Sequence, residues 1–173
     1  MILNGFSLLS MPPIYDMESR KVNNLGVSFG LGEAGYDIRI KQKIHFRRAL
    51  FGLVRWVEVW EPGATKPQRA FGRFALASSV ERFHMRSDIV GIVHDKSTWA
   101  RKSLSVFNTV IEPGWKGYLT LELVYHGNKE MIIPAGAGIA QVIFHQTFCT
   151  AAYTGKYQDQ ADKPVEAISS TTN

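Results

Sequence analysis

Three short runs hold the residues of this chain with chemistry to do: Asp95-Lys-Ser-Thr-Trp-Ala-Arg101, Ile111-Glu-Pro-Gly-Trp-Lys-Gly117 and Thr120-Leu-Glu122. The first sets cations and hydroxyls together, the second makes a tight Pro-Gly turn, and the third puts one carboxylate inside an apolar strand. A plain structural hairpin needs none of these. Leu119, Leu121, Leu123 and Val124 surround Glu122, so the strand reads as apolar on both faces and an inward-facing carboxylate would lose its hydration. Burying a carboxylate is costly unless it is paired, and desolvation moves such a group towards the range useful for proton transfer. The same pattern also allows Glu122 to lie on the wet face of an edge strand.

The elements that must position these runs are mostly short strands. Tyr36-Asp-Ile-Arg-Ile40 alternates, Leu53 to Trp60 is rich in β-branched and aromatic residues, and Phe71 to Leu76 alternates again. Ile89–Val93, Leu104–Phe107, Tyr118–Tyr125, Met131–Ile133 and Ile139–Phe144 continue the series at the spacing of an all-β sandwich or barrel. One short helix is predicted over Trp99-Ala-Arg-Lys, capped by Ser97 or Thr98. Its free N–H groups, with Lys96 beside them, suit an anion, although Ser97 can equally be a simple cap and Lys96 a solvated charge. Residues 1–34, with Pro12-Pro13 and Asn23-Asn24, read as an arm with at most one short strand or turn. The division is therefore a β domain with its arm, residues 1–150, and a C-terminal tail, residues 151–173.

With 173 residues, 45% of them hydrophobic and 20% charged, the chain has the length and balance of one globular domain. No apolar run approaches the ~20 residues of a membrane span, and the first residues lack the order of a secretory signal, so a cytosolic protein is expected. The single Cys149 excludes an internal disulfide and a Cys-based zinc site. A net charge of +5 suits an anionic ligand. The cations are scattered, with no long basic run and no helix-turn-helix or zinc-finger spacing, so nucleic acid, duplex or otherwise, is not an expected partner.

From about Gly26 to Gln160 the motifs, in their order, resemble the dCTP deaminase branch of the trimeric dUTPase superfamily. Gly35-Tyr-Asp-Ile-Arg39 is similar to that family's opening strand, Lys96 to Arg101 to its basic-Ser-Ser-Leu-Ala-Arg motif, and Ile111 to Gly117 to its Ile-Asp-Pro-Gly-Trp/Phe-x-Gly turn. Gly138-Ile-Ala-Gln141 and Gly155-Lys-Tyr-Gln-x-Gln160 match the segments before the last core strand and in the phosphate-binding tail. The resemblance implies a distorted jelly-roll or β-barrel of the dUTPase-like type with one or two short helices. It implies a homotrimer with sites shared between subunits, and hydrolysis of dCTP to dUTP and ammonia, a reaction at the C–N bond of a cyclic amidine.

In the deaminases a glutamate stands five residues after the glycine that closes the Pro-Gly turn; here Gly117 plus five is Glu122. By resemblance Glu122 is the general base that activates water without zinc, and Ser97 and Arg101 hold that water and the charge developing at C4. Lys96, Thr98, Asn108, Glu112, Trp115, Gln141, Tyr153, Lys156, Tyr157 and Gln160 carry over as nucleotide contacts, with Mg²⁺ bridging the phosphates and the tail closing over them.

The chain departs from the pattern at four places. Lys96 replaces arginine, Phe107-Asn-Thr-Val110 replaces a Thr-Ala pair with its neighbour, and the loop from Arg101 to Glu112 is short. Glu112 stands where the diphosphatase branch carries its water-activating aspartate, and the longer side chain displaces that base by about one bond, which favours deamination. A dUTP or dCTP diphosphatase, a bifunctional enzyme and a non-catalytic nucleotide binder are the rival readings.

Overall fold

The computed structural model describes residues 1–52, 54–107 and 109–169. The chain opens with β1 (Ile2–Leu3), α1 (Gly5–Ser10), β2 (Lys21–Asn24), β3 (Val27–Leu31) and β4 (Tyr36–Arg39). A hairpin of β5 (Lys43–Ala49) and β6 (Val54–Trp60) follows, then β7 (Gln68–Phe71), β8 (Phe74–His84) and β9 (Ile89–Asp95). After α2 (Ser97–Ala100) come β10 (Leu104–Val106), β11 (Val110–Ile111), β12 (Lys116–Tyr125), β13 (Met131–Ile133) and β14 (Gly138–Gln146).

The strands make three antiparallel sheets. The largest runs β11-β9-β14-β4-β3-β2 with β1 added to β14; the others are β10-β12-β8 and β13-β5-β6-β7. One core joins them, because Ile38, Ile44, Val93, Leu121, Ile133 and Phe144 come from all three sheets and are fully buried. Each such side chain contributes about 1.5–3 kcal/mol of burial. The fold is a distorted jelly roll, as expected, and no closed barrel forms among the described residues.

The structure corrects the sequence reading in several places. The arm is more ordered than its prolines suggest: α1 buries Leu8, and β2 and β3 form a hairpin that continues the large sheet. Phe71 to Leu76 is two strands, since Gly72, at φ +104°, turns the chain from β7 in one sheet to β8 in another. Lys43 to Ala49 is a full strand whose buried Ile44 and Phe46 alternate with His45 and Arg47; the cations masked the period. β8 runs on to His84 through the buried polar residues Ser78, Ser79 and Glu81. Gln42 Oε1 accepts from Ser78 N, Ser79 Oγ accepts from Leu119 N, and Arg39 binds the Glu81 carboxylate at 2.8 Å. These partners make the burial of polar groups affordable.

Candidate active site

The Pro-Gly turn, β12 and the tail build one cavity of about 370 Å³. Gly114 takes φ +77°, which the tight turn after Pro113 requires, and the chain enters β12 at Lys116. A register shift between Tyr118 and Thr120 marks a bulge against β8, where Leu119 N donates to Ser79 Oγ. Beyond it Leu121 and Leu123 face the core while Glu122 lies on the exposed side, paired across the strands with Leu76. β12 lies between β10 and β8, so Glu122 is neither buried nor on an edge strand; the pattern of leucines overstated the apolar faces by one. Bulges commonly re-aim side chains beside active sites.

Glu122 and Glu112 both line the cavity, together with Trp115, Thr120 and the exposed Phe107. The tail supplies the opposite wall through Tyr153, Tyr157, Gln160, Val165 and Ala167. Its attachment is specific. Trp115 Nε1 donates to Tyr157 O at 2.6 Å, Tyr153 N to Pro113 O at 2.8 Å, and Val165 N to Thr120 Oγ1 at 3.1 Å. Gln158, which the sequence reading passed over, clamps the turn by accepting from Lys116 N at 2.8 Å and donating to Gly114 O at 3.0 Å. Its amide inside the Gly-Lys-Tyr-Gln motif was the available signal. Lys156 lies over the Tyr157 ring and bonds Ile168 O, folding the last described residues back onto the tail.

The basic motif does not reach this cavity within one chain. Among the described residues lining it, Lys96, Ser97, Thr98, Arg101, Gln141 and Lys156 are absent. Lys96 itself occupies the cap position of α2, which has no side-chain cap, so the expected Ser97 or Thr98 cap is not formed. The Lys96 ammonium turns inward to an ion pair with Asp37 and a 3.1 Å bond with Ser28 Oγ. Trp99 is buried and donates to Gly138 O, fixing α2 on β14, while Ser97 and Arg101 remain exposed. Gln141 pairs with Asp37 and His94 in the sheet. Asn108, an expected nucleotide contact, lies outside the described residues. Among the described residues no cluster of three His, Cys, Asp or Glu forms a metal site, and no helix is long and apolar enough to cross a membrane.

A family model described as dCTP deaminase-like matches residues 15–147. The chain belongs to that family. It is 34% identical over 145 residues to a dCTP deaminase of Methylacidiphilum infernorum, covering 78% of this chain and 77% of that one. It is likewise 34% identical to a dCTP deaminase of Helicobacter pylori strain G27, with 82% of each chain covered. A solved 2'-deoxycytidine 5'-triphosphate deaminase from Agrobacterium tumefaciens superposes with a TM-score of 0.51 at 15% identity. That match covers 84% of this chain and 48% of the other, and speaks for the shared fold. Membership of the family agrees with the motif order from Gly35 to Gln141, which lies within the matched residues.

Proposed function

We propose that this protein deaminates dCTP, releasing dUTP and ammonia, with Glu122 as the base that activates water. The observation that carries the reading is Glu122 on the wall of the cavity, five residues beyond the glycine that closes the turn. Water loses one proton to Glu122 and its oxygen attacks C4, while the same carboxyl passes that proton to the ring nitrogen; Glu122 then takes the second proton from the new C4 hydroxyl and delivers it to the amino group, so that the exocyclic C4–N bond breaks, ammonia leaves and the C4 carbonyl forms. Ser97 and Arg101 would hold the attacking water and the charge developing at C4. The phosphates would rest on Thr98, Lys156 and Gln160, with Lys96 held on Asp37 and reaching them only if that pair opens, and the substrate would arrive as its Mg²⁺ complex.

A second copy of the chain is part of this reading. Ser97 and Arg101 lie outside the Glu122 cavity of their own chain. The face around Glu122 leaves Phe74, Phe107 and Val110 about half exposed, at 45%, 51% and 51%, an apolar rim that suits a subunit contact. In a homotrimer the basic motif of one protomer would complete the cavity of its neighbour. Glu112 on the same wall is the one carboxylate a second reading would use, hydrolysis of a nucleotide to the monophosphate and pyrophosphate, although its length, one bond beyond aspartate, counts against that reading. Measuring ammonia and pyrophosphate from dCTP and from dUTP separates the two: the proposal requires ammonia from dCTP, and pyrophosphate without ammonia would reject it.

A further inference from the structure

The four-stranded sheet ends in a row of cations that the proposed chemistry does not use. β5 and β6 pair Arg48 directly with Arg55. Gly72 N bonds Arg55 O, which brings Arg73 alongside, and Lys129 precedes β13 where that strand pairs with β5. Arg47, Arg48, Arg55, Arg73 and Lys129 line one cleft against Phe46, Trp56 and Tyr125. Strands lie ~4.8 Å apart, so the row from Lys129 to Arg73 spans roughly 14 Å.

These charges are poorly compensated. Among the described residues lining the cleft there is no carboxylate. Arg48 donates to Asn128 O at 2.6 Å, Arg55 to Gly127 O and Asn128 Oδ1 at 3.0 Å, and Arg73 to His126 O at 3.0 Å, all neutral acceptors. Glu130 turns to His45, at 3.4 Å, and Glu58 lies near Arg47, at 3.6 Å. Partial burial, then the charges of Arg73 and Arg48, hold the pKa of Arg55 below the usual arginine value. Tying down the 126–128 turn accounts for some of these bonds, but each guanidinium carries five donors and has donors left over. Nor does a clamp explain the aromatic ring beside the row. Phe51, at φ +56° on the hairpin tip, is fully exposed and shares a shallow hollow with Arg48, Lys129 and Glu130.

We propose that this row binds single-stranded nucleic acid, its phosphates resting on Arg48, Arg55, Arg73 and Lys129 and a base stacking on Phe51. A cationic track beside an exposed aromatic ring is a general solution for holding single strands without reading their sequence, and arginine forks suit phosphate oxygens. A free phosphate would make the same charged contacts but has no use for the ring. The cations come from four separate strand ends, so no basic run announces them in the sequence.

The test is fluorescence anisotropy of a labelled thymidine oligonucleotide with the full chain, between about 50 and 200 mM salt. Four phosphate contacts predict a log–log salt slope near −3. Lys129→Glu and Phe51→Ala change exposed side chains, and each should weaken binding about tenfold or more with thermal stability and dCTP turnover unchanged. Saturating dCTP should leave the oligonucleotide bound. Absence of binding, undiminished binding by both variants, or displacement by dCTP overturns the proposal. A rise in Tm with inorganic pyrophosphate, without oligonucleotide binding, assigns the row to free phosphate and overturns it as well. None of these outcomes depends on which product the Glu122 cavity releases.

Discussion

Gln160 and Gly117 form a parallel backbone bridge, Tyr118 N donating to Gln160 O at 3.1 Å. A Cβ at position 117 would lie 2.5 Å from Gln160 N, and the backbone there holds φ +134°. The glycine that closes the turn is thus also the seat of the tail. Gly117→Ala should release the tail while the three sheets persist. Limited trypsin digestion should then cut after Lys156, and KM for dCTP should rise about tenfold, the equivalent of ~1.4 kcal/mol. An unchanged digestion pattern with unchanged KM would show that the tail does not depend on this bridge.

Glu122→Gln keeps the shape and the hydrogen-bonding capacity of the side chain and removes the base. Ammonia release should fall at least ~10²-fold, the usual scale of general-base catalysis, while dCTP still binds. Calorimetric titration checks the binding and an ammonia assay the rate. Near-normal turnover in this variant would remove Glu122 from the chemistry.

Much of the architecture was legible because alternation of apolar and polar residues reports strands directly, and β4, β12, β13 and β14 lie close to where the pattern sets them. β5 and the length of β8 were not, since His45 and Arg47 interrupt one strand and the satisfied polar residues Ser78, Ser79 and Glu81 imitate a loop in the other. For the cavity, Glu112, Trp115, Glu122, Tyr153, Tyr157 and Gln160 were legible as motif residues and do line one wall or another. Their separation from Ser97 and Arg101 was not, because motif order along the chain carries no record of which motifs the fold brings to one cavity. The inward turn of Lys96 escaped for a related reason: its partner Asp37 lies 59 residues away.

That pair gives a stability prediction. The Lys96 and Asp37 side chains are only 11% and 5% exposed, and removing one partner of a buried pair leaves an uncompensated charge. Asp37→Ala should lose about 3–5 kcal/mol in urea denaturation. Lys96→Met with Asp37→Ala should recover a large part of that loss, since no charge is then stranded. Equal destabilisation in the single and double variants would mean that the loss comes from packing instead.

Acid stability should depend on Glu58. Burial pushes this carboxyl upward, but Trp56 Nε1, Arg47 and Arg69 together more than offset it, and the net pKa lies below the ordinary 4.5. The Arg69 contact is 2.9 Å. The unfolded chain therefore binds more protons than the native one in the acid range, and stability rises with pH there. The contribution is present above pH 4.5 and disappears as pH falls through the lower native value. Glu81 works in the opposite sense: burial holds its pKa above 4.5 against Arg39, so its contribution is largest below that pH and is lost as pH rises through the native value. Subtracting the melting profile of Glu58→Gln from that of the parent leaves Glu81 common to both and isolates Glu58. The parent should be the more stable protein at pH 7, and the difference in Tm should shrink between pH 5 and pH 3. A difference that stays constant over that interval would show that the Glu58 carboxylate contributes through shape and neutral hydrogen bonds rather than through its charge.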